Sequence, residues 1–296
     1  MRQSLPNERG RYRVAGMERF DAADAANKVE DALRVVATPE RATSEKRYLK
    51  SDLEFLGTTV WQIRAVVGAF AARDRSLTHD DVVALVERLW ERPVHERRMA
   101  ATFTLERYVA TLGPGDLPLI ERLVRESRTW ALVDGLAGDV VGCMIARHEA
   151  AATRVLDRWA RDDDFWIRRA SLLAELRPLR AGAPLDRFAR RADGMLDERE
   201  FFIRKAIGWV LREAGKRDPE SVAAWLAPRT HRASGVTMRE AVKYLPPGVS
   251  DWLMTAYREG RPGRSGQLIG VVIGQPSRRD RTSCMKAPTC APSRTR

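Results

Sequence analysis

Apolar residues recur with a period of 3.6 along most of the chain, in segments of about 10–18 residues. One such segment places its apolar residues on a single helical face: Val82, Leu85, Val86, Leu89 and Trp90. Turn-forming residues separate the segments, at 113–116 (GPGD), 182–184, 218–219 and 246–247. Alternation with period 2, which is typical of strands, is almost confined to the short LIGVVIG at 268–274. The pattern predicts an all-α protein.

The predicted helices arrive in pairs about 35–45 residues apart. The pairs are 59–73 with 80–91, 94–111 with 115–127, 130–147 with 149–161, 164–178 with 185–197, and 200–215 with 219–227. This period is typical of an α-solenoid (superhelix) of the HEAT or armadillo type, whose neighbouring hairpins bury each other and leave one concave face. We therefore expect HEAT-like hairpin repeats around one concave cleft. An irregular helical bundle is the alternative.

Composition divides the chain into three parts. Residues 1–16 are predicted to be a disordered basic lead, and a helix is expected to open at Met17, which is also a possible natural start. Residues 17–246 are predicted to form the helical domain. From 247 to 296 the chain is rich in Gly, Pro, Ser and Arg, which predicts a flexible basic tail.

The 296 residues carry 52 Lys and Arg against 40 Asp and Glu, a formal net charge of +12. Such an excess favours a polyanionic partner, either nucleic acid or anionic lipid. Residues 1–20 hold five arginines and two glutamates, and residues 247–296 hold nine basic and three acidic residues. Most of the excess thus lies outside the predicted helical domain. DNA binding by that domain must depend on where a few residues, such as Arg169, are placed.

The sequence argues against several classes of protein. Three cysteines, Cys143, Cys284 and Cys290, provide neither a disulfide framework nor a C-x-x-C pair, which favours a reducing compartment. The charged N-terminus and the absence of a run of about 18 apolar residues predict a cytoplasmic protein that neither is exported nor spans a membrane.

No motif for a cofactor is present. The sequence has neither a G-x-x-x-x-G-K-[ST] nor a G-x-G-x-x-G loop, and its four histidines are far apart. We therefore expect no nucleotide cofactor and no metal, and any catalysis must use carboxylates, aromatic rings and arginine.

Three helical segments combine aromatic and charged residues. Trp130 and Asp134 are four residues apart, so they lie one above the other on a helix, and an indole beside a carboxylate can hold a cation. A core tryptophan near a solvated aspartate is the alternative. Of the adjacent Arg168 and Arg169, one can face a groove and hold a phosphate, or both can be ordinary surface charges.

The third segment is EFFIRKAIGWVLRE at 200–213. Lys205 and Trp209 share one face of the predicted helix because they are four residues apart. Trp209 is either a core residue or part of the groove lining, and periodicity favours the core.

A series of blocks resembles the AlkD-type DNA alkylation repair family, which is built of HEAT-like helical repeats. The blocks are RYLKSDLEFLG (47–57), LWERPVHERRMAA (89–101), TWALVD (129–134), FWIRRASLL (165–173), EFFIRKAIGWVLRE (200–213) and MREAVKYL (238–245). The resemblance spans about residues 28–246, in the family's order and spacing. The two ends of the chain have no counterpart in it.

The resemblance implies a DNA glycosylase that excises cationic alkylpurines, such as 3-methyladenine and 7-methylguanine, from double-stranded DNA without base flipping. It places Trp130 and Asp134 at the catalytic positions, Arg169 near the lesion, Trp209 as a second cleft tryptophan and Tyr48 as a cleft aromatic. We add Lys205 as a DNA-binding residue and expect a monomer. A non-catalytic HEAT-repeat module that binds damaged or branched DNA, and a protein-scaffolding solenoid, are the alternatives.

Overall fold

The structure is a computed structural model that describes residues 20–73 and 77–263. The predicted basic lead at 1–16, Met17, the apolar stretch at 268–274 and the two cysteines Cys284 and Cys290 lie outside the described residues.

The described chain is helical almost throughout and contains no strand. Glu54 and Val94 form an isolated parallel β-bridge. In the first half the helices are α1 Ala22–Val35, α2 Pro39–Leu49, α3 Val60–Arg73, α4 His79–Glu91, α5 His95–Arg107, α6 Leu117–Ser127, α7 Trp130–Asp134 and α8 Gly142–Arg147. In the second half they are α9 Glu149–Trp159, α10 Phe165–Leu173, α11 Leu176–Arg180, α12 Asp186–Gly194, α13 Phe201–Gly215, α14 Pro219–Leu226, α15 Gly235–Ala241 and α16 Pro247–Arg258. The all-α prediction is confirmed.

Short irregular helices complete the chain. A π-helix, Gly135–Val141, joins α7 to α8, so that residues 130–147 form one continuous helical segment. Single 3₁₀ turns are found at Val109–Thr111, Pro114–Asp116, Ala227–Arg229 and Val242–Tyr244. No helix in the described part of the chain is both long enough and apolar enough to cross a bilayer.

Local sequence explains where the helices begin. Thr78 and Asp81 form a capping box at the start of α4, in which each side chain accepts a hydrogen bond from the other residue's backbone N–H. The Asp164 carboxylate accepts from Trp166 N at the start of α10, and the Glu200 carboxylate accepts from Phe202 N at the start of α13. These caps fix the first turns of the two helices that later contact the candidate site.

The helices form an α-solenoid-like stack with two layers, as the pairing of segments predicted. We call α4, α6, α9, α12 and α14 layer A. Layer B comprises α3, α5, the α7–α8 segment, α10 with α11, α13 and α15, which contact one another in that order. Each hairpin from α3–α4 to α13–α14 contributes one helix to each layer, and the apolar residues of these helices are buried between the layers.

Arginine–carboxylate pairs join consecutive hairpins in layer A. The paired residues are 34–37 positions apart: Glu87 with Arg122, Glu121 with Arg158, Arg125 with Asp162, Asp157 with Arg191, and Asp193 with Arg229. A constant separation means that each hairpin stacks on the next in nearly the same register. The structure thus gives the repeat length at the short end of the predicted range.

Layer B depends on close backbone contact. A Cβ atom added at Gly208 of α13 would lie 2.9 Å from the Thr237 carbonyl of α15, and one added at Gly142 of α8 would lie 3.1 Å from the Ala174 carbonyl. Two glycines therefore let the backbones of neighbouring hairpins approach more closely than larger residues allow.

Two predicted boundaries differ from the structure. The first helix begins at Ala22 rather than Met17, because the Asp21 carboxylate caps it by accepting from Ala23 N and Asp24 N. At the other end, α16 occupies 247–258 of the predicted tail and buries Val249, Leu253 and Ala256. Those three residues follow helical spacing that the surrounding Gly and Pro content obscured. The folded region therefore continues through residue 263, the last one described, whose N–H donates to the Ala227 carbonyl at 2.7 Å.

Candidate functional site

Asp134 and Arg169 form a bidentate ion pair between two neighbouring helices of layer B. Arg169 Nε donates to Asp134 Oδ1 at 2.8 Å, and Arg169 Nη2 donates to Asp134 Oδ2 at 2.9 Å. Asp134 ends α7 at the point where the π-helix begins, and Arg169 lies in the second turn of α10. The two residues are 35 positions apart, so the stacking of hairpins brings them together.

Arg169 is fully engaged within the protein. Its third nitrogen, Nη1, donates to the Phe202 carbonyl at 2.6 Å, and only 4% of its side chain is exposed. Its burial contradicts the alternative of an ordinary surface charge, while its role as a phosphate ligand stays a prediction. Its neighbour Arg168 pairs with Glu198 instead and donates to the Asp162 carbonyl. Arg169 acts on Asp134, whose carboxylate it orients and neutralises.

Trp130 lies beside this ion pair and contacts Tyr48. It precedes Asp134 by one helical turn, as predicted, and its ring centroid lies 5.8 Å from that of Tyr48 in an edge-to-face arrangement. Trp130 is half-buried, whereas 70% of Tyr48 is exposed. The structure therefore brings four predicted residues, Tyr48, Trp130, Asp134 and Arg169, into one continuous set.

Burial raises the pKa of the Asp134 carboxyl above its ordinary value, although Arg169 acts in the opposite direction. The negative charge of Asp139, five residues further along the same helical segment, adds to the rise. Burial also raises the pKa of Asp139 itself, which faces the charges of Arg64, Arg177 and Arg180. Arg169 thus opposes the effect of burial and favours the ionised form of Asp134.

Lys205 and Trp209 lie further along α13. Lys205 Nζ pairs with Glu240 Oε1 of α15 at 2.6 Å, and 40% of the lysine side chain is exposed. Trp209 is half-buried and packs against the core. It follows Phe202 by seven residues, which is about 10 Å along a helix axis. The described contacts of Lys205 are with α15, and those of Trp209 are with the core. No described contact links Lys205 or Trp209 to Asp134.

Sequence reasoning missed the residues that support this set. The buried Glu96 carboxylate accepts hydrogen bonds from the backbone N–H groups of Leu56, Gly57 and Thr58, which ties the loop after α2 to α5. Gly57 has a φ of 96°, and a Cβ there would lie 2.0 Å from the Thr38 carbonyl. The helix that carries Tyr48 is thereby held in place. Gly57 and Glu96 are 39 residues apart, and no local sequence pattern indicates that they are in contact.

Aromatic rings pack around the remaining side of Arg169. The rings of Phe165, Trp166 and Phe202 lie with centroids 4.5–6.2 Å apart, and the Arg169 guanidinium lies 5.7 Å from the Phe202 ring centroid. The dipeptides Phe165-Trp166 and Phe201-Phe202 at two helix starts are the sequence signal for this cluster. Within the described ranges no group of three or more His, Cys, Asp or Glu side chains is arranged to hold a metal ion.

Comparisons with known proteins agree with these features. The family model described as DNA alkylation repair enzyme matches residues 29–245. A solved structure described as "Predicted DNA alkylation repair enzyme from Enterococcus faecalis" superposes with a TM-score of 0.65 at 22% sequence identity, covering 71% of this chain and 97% of that one. That similarity shows a shared fold. No curated protein matches the chain significantly. Because the family model covers well over half of the sequence, the chain belongs to the DNA alkylation repair enzyme family.

Proposed function

We propose that this protein is a DNA glycosylase that hydrolyses the N-glycosidic bond of cationic alkylated purines in double-stranded DNA and leaves an abasic site. The substrates are 3-methyladenine and 7-methylguanine. Asp134 is the proposed catalytic carboxylate, and the observation that carries the proposal is its bidentate pairing with the buried Arg169 beside Trp130.

The chemistry requires only one carboxylate. Cleavage of an N-glycosidic bond develops positive charge on the sugar, and a fixed negative charge nearby stabilises it. An alkylated purine is already cationic and leaves as a neutral base, so no general acid has to protonate it. A single ionised Asp134 can stabilise the sugar and orient or deprotonate the attacking water.

The ion pair leaves Asp134 able to do this. A carboxylate offers about four lone-pair sites, and Arg169 uses one on each oxygen. The remaining sites can accept from a water or face the sugar. Arg169 keeps the carboxylate charged against the effect of burial on its pKa. We assign Arg169 as a positioning residue for Asp134.

Trp130 and Trp209 are the proposed aromatic walls for the cationic nucleotide, with Tyr48 extending the surface at Trp130. A ring face beside a cation contributes about 0.5–2 kcal/mol, depending on desolvation. Most glycosylases extrude the target base into a tight pocket. Here we propose that the base stays stacked and that the enzyme contacts the sugar and backbone, so that selection follows the lability of the glycosidic bond.

The test is release of free purines from DNA treated with a methylating agent, followed by chromatography. The full-length protein should release 3-methyladenine and 7-methylguanine, and it should release little uracil from a uracil-containing duplex of the same sequence. Robust uracil release would exclude selection by bond lability, and the absence of any methylpurine release would exclude the glycosylase.

A second candidate is a non-catalytic module that binds damaged or branched DNA. The repeated arginine–carboxylate pairs of layer A favour it, since the Arg169–Asp134 pair can be one more structural contact between hairpins. Such a module would bind DNA with a steep dependence on salt and release no base. The purine-release assay separates the two candidates.

A further inference from the structure

A small pocket opens where three segments close in sequence to the candidate site meet. Its volume is about 310 Å³, at the lower end of the range for ligand pockets. It is lined by residues 51–53 after α2, by Pro93 and Arg98 around the start of α5, and by residues 125, 126 and 128 at the end of α6. Ser51 follows Tyr48 by three residues and Arg128 precedes Trp130 by two, so two of the lining segments continue into the candidate site.

Two of its three arginines lack an ion-pair partner. Arg125 is paired with Asp162 and Glu121. In contrast, neither Arg98 nor Arg128 forms an ion pair with any carboxylate in the described ranges. Arg98 Nη1 donates to the Glu126 carbonyl at 2.7 Å, while its buried Nε finds no acceptor among the described residues.

The guanidinium groups of Arg98 and Arg128 repel each other. Burial lowers the pKa of Arg98, and the charge of Arg128 lowers it further, against the attraction of Glu126. The Glu126 carboxylate is itself engaged by Trp90 Nε1 at 2.8 Å and by Arg122, which leaves Asp52 as the acidic group without such a partner in the lining. A bound anion would relieve the repulsion and supply the acceptor that Arg98 Nε lacks.

Other groups of the pocket suit an anion with several oxygens. The buried Ser51 Oγ accepts from Leu53 N at 3.3 Å, which leaves its O–H free to donate. Arg128 has a φ of 49°, a left-handed conformation that costs energy for any residue other than glycine or asparagine. Glycine would be favoured in this left-handed position at the end of α6. An arginine there has no structural advantage.

A larger cavity of about 840 Å³ in layer A does not offer the same chemistry. It is lined by four arginines and four aspartates, and two of those arginines, Arg125 and Arg158, already pair with carboxylates. The equal numbers leave no excess charge for an anion.

We propose that the pocket formed by Ser51, Arg98 and Arg128 binds a DNA backbone phosphate adjacent to the lesion nucleotide. This inference rests on the proposed function, because the position of the lesion follows from Asp134 and Trp130. It also supplies a phosphate ligand in addition to the one predicted at Arg169.

The test uses the full-length Arg128→Gly variant, which removes the charge and suits the left-handed backbone, so the fold is retained. Binding is measured by fluorescence anisotropy on a duplex that carries an abasic-site analogue, at several salt concentrations. Arg154→Gln is the matched control, since Arg154 is an exposed arginine of layer A. We expect Arg128→Gly to raise Kd about tenfold and to reduce the slope of log K against log salt by about one, with the control unchanged.

A second arm identifies the phosphate. Uncharged methylphosphonate replaces one phosphate at a time along both strands. One position adjacent to the analogue should weaken binding by wild-type protein about tenfold and leave binding by Arg128→Gly unchanged, because the two changes remove the same contact. Arg98→Gln should behave like Arg128→Gly, and Arg98→Lys should recover part of the affinity.

The outcomes separate this inference from the proposed function. If wild-type protein releases methylpurines but Arg128→Gly binds with the affinity and salt slope of the control, the phosphate site is wrong and the glycosylase stands. If Arg128→Gly loses affinity as expected but the wild type releases no purine, the phosphate site stands and the glycosylase is wrong. If the wild type neither binds the duplex nor releases methylpurines, both are wrong.

Discussion

The Arg125–Asp162 pair of layer A and the Arg169–Asp134 pair of layer B have the same construction. Each joins consecutive hairpins, over 37 and 35 residues, and each is bidentate with N–O distances of 2.6–2.9 Å. Solvent reaches 16% of both aspartate side chains, but it reaches 39% of Arg125 and only 4% of Arg169. The layer B pair is therefore the deeper one, although the two carboxylates touch equal amounts of water.

The two carboxyl groups differ in their electrostatics. Hydrogen bonds from Arg125 hold the pKa of Asp162 below its ordinary value, whereas burial raises the pKa of Asp134 despite the same bidentate contact. For Asp134, burial thus affects the carboxyl pKa more than the bidentate contact with arginine does. The same kind of ion pair that joins hairpins in layer A therefore holds, in layer B, a desolvated carboxylate beside the Trp130 ring. This difference adds support for assigning the proposed catalysis to Asp134.

The largest expected effect comes from Asp134→Asn. We expect the single-turnover rate of 3-methyladenine release to fall at least about 100-fold, because the charge that stabilises the sugar is lost. The Kd for DNA should stay within a few fold. Asp162→Asn is the matched control from layer A and should leave the rate within about twofold. Equal rates for the wild type and Asp134→Asn would refute the assigned role.

Arg169→Gln should have the next largest effect. It leaves a buried carboxylate without its counter-charge, so the free energy of unfolding in urea should fall by about 3–5 kcal/mol. Arg125→Gln breaks the more exposed pair and should cost at most about 1 kcal/mol. A loss as small for Arg169→Gln as for Arg125→Gln would mean that depth does not distinguish the two pairs.

The same Arg169→Gln variant tests the pH dependence. Arg169 opposes the rise in the pKa of Asp134, so its removal should raise that pKa further. A carboxylate that works in the ionised form loses activity as the pH falls through its pKa. The acid limb of the single-turnover rate should therefore move to higher pH in Arg169→Gln, and stay in place in Arg125→Gln. An unmoved limb would show that Asp134 does not set it.

Trp130→Leu should have a moderate effect. Loss of the ring face beside a cationic nucleotide costs about 0.5–2 kcal/mol, or about 2- to 30-fold in the rate of 7-methylguanine release. Trp61→Leu removes a tryptophan that is 72% exposed and lies outside the set, and should change the rate little. If the two variants lose the same activity, Trp130 makes no specific contact with the substrate.

The smallest expected effect concerns Glu240, a layer B carboxylate whose lysine partners are partly exposed to solvent. Burial would raise its pKa, but hydrogen bonds from Lys205 and Lys243 and the charge of Arg212 hold it at about 2. A lowered pKa stabilises the fold above the ordinary value near 4.5, and this stabilisation is lost as the pH falls toward 2. Its partners Lys205 and Lys243 are half-exposed, so we expect only about 1 kcal/mol. In Glu240→Gln the free energy of unfolding should change less with pH between about 4.5 and 2 than in the wild type. An unchanged dependence on pH would contradict the assignment.

Local periodicity was enough to predict most of the helices. The predicted pair 59–73 with 80–91 corresponds to α3 at Val60–Arg73 and α4 at His79–Glu91, and 200–215 corresponds to α13 at Phe201–Gly215. Such segments are long and amphipathic, so the apolar stripe that packs them is visible in the sequence. The 12-residue α16 is not predicted, because the glycines and prolines around it dominate the composition.

The site was predictable only in part, for a related reason. Trp130 and Asp134 are four residues apart, and a helix alone brings them together. The bond between Asp134 and Arg169 spans 35 residues and depends on how closely α10 stacks on α7, which no local pattern specifies. The family resemblance placed both residues near the lesion but gave no indication that Arg169 pairs with Asp134. Contacts set by hairpin stacking, such as Tyr48 with Trp130, were visible only in the structure.

The central claim is that depth in the fold separates the Asp134 carboxyl from its counterpart in layer A. The most direct measurement is a carbon-13 NMR titration of the full-length protein with labelled aspartate, in which Asp134→Asn and Asp162→Asn assign the two carboxyl signals. The account predicts that Asp134 titrates above the ordinary aspartate value and Asp162 below it. Coincident titration of the two groups, or an Asp134 that titrates below Asp162, would contradict it.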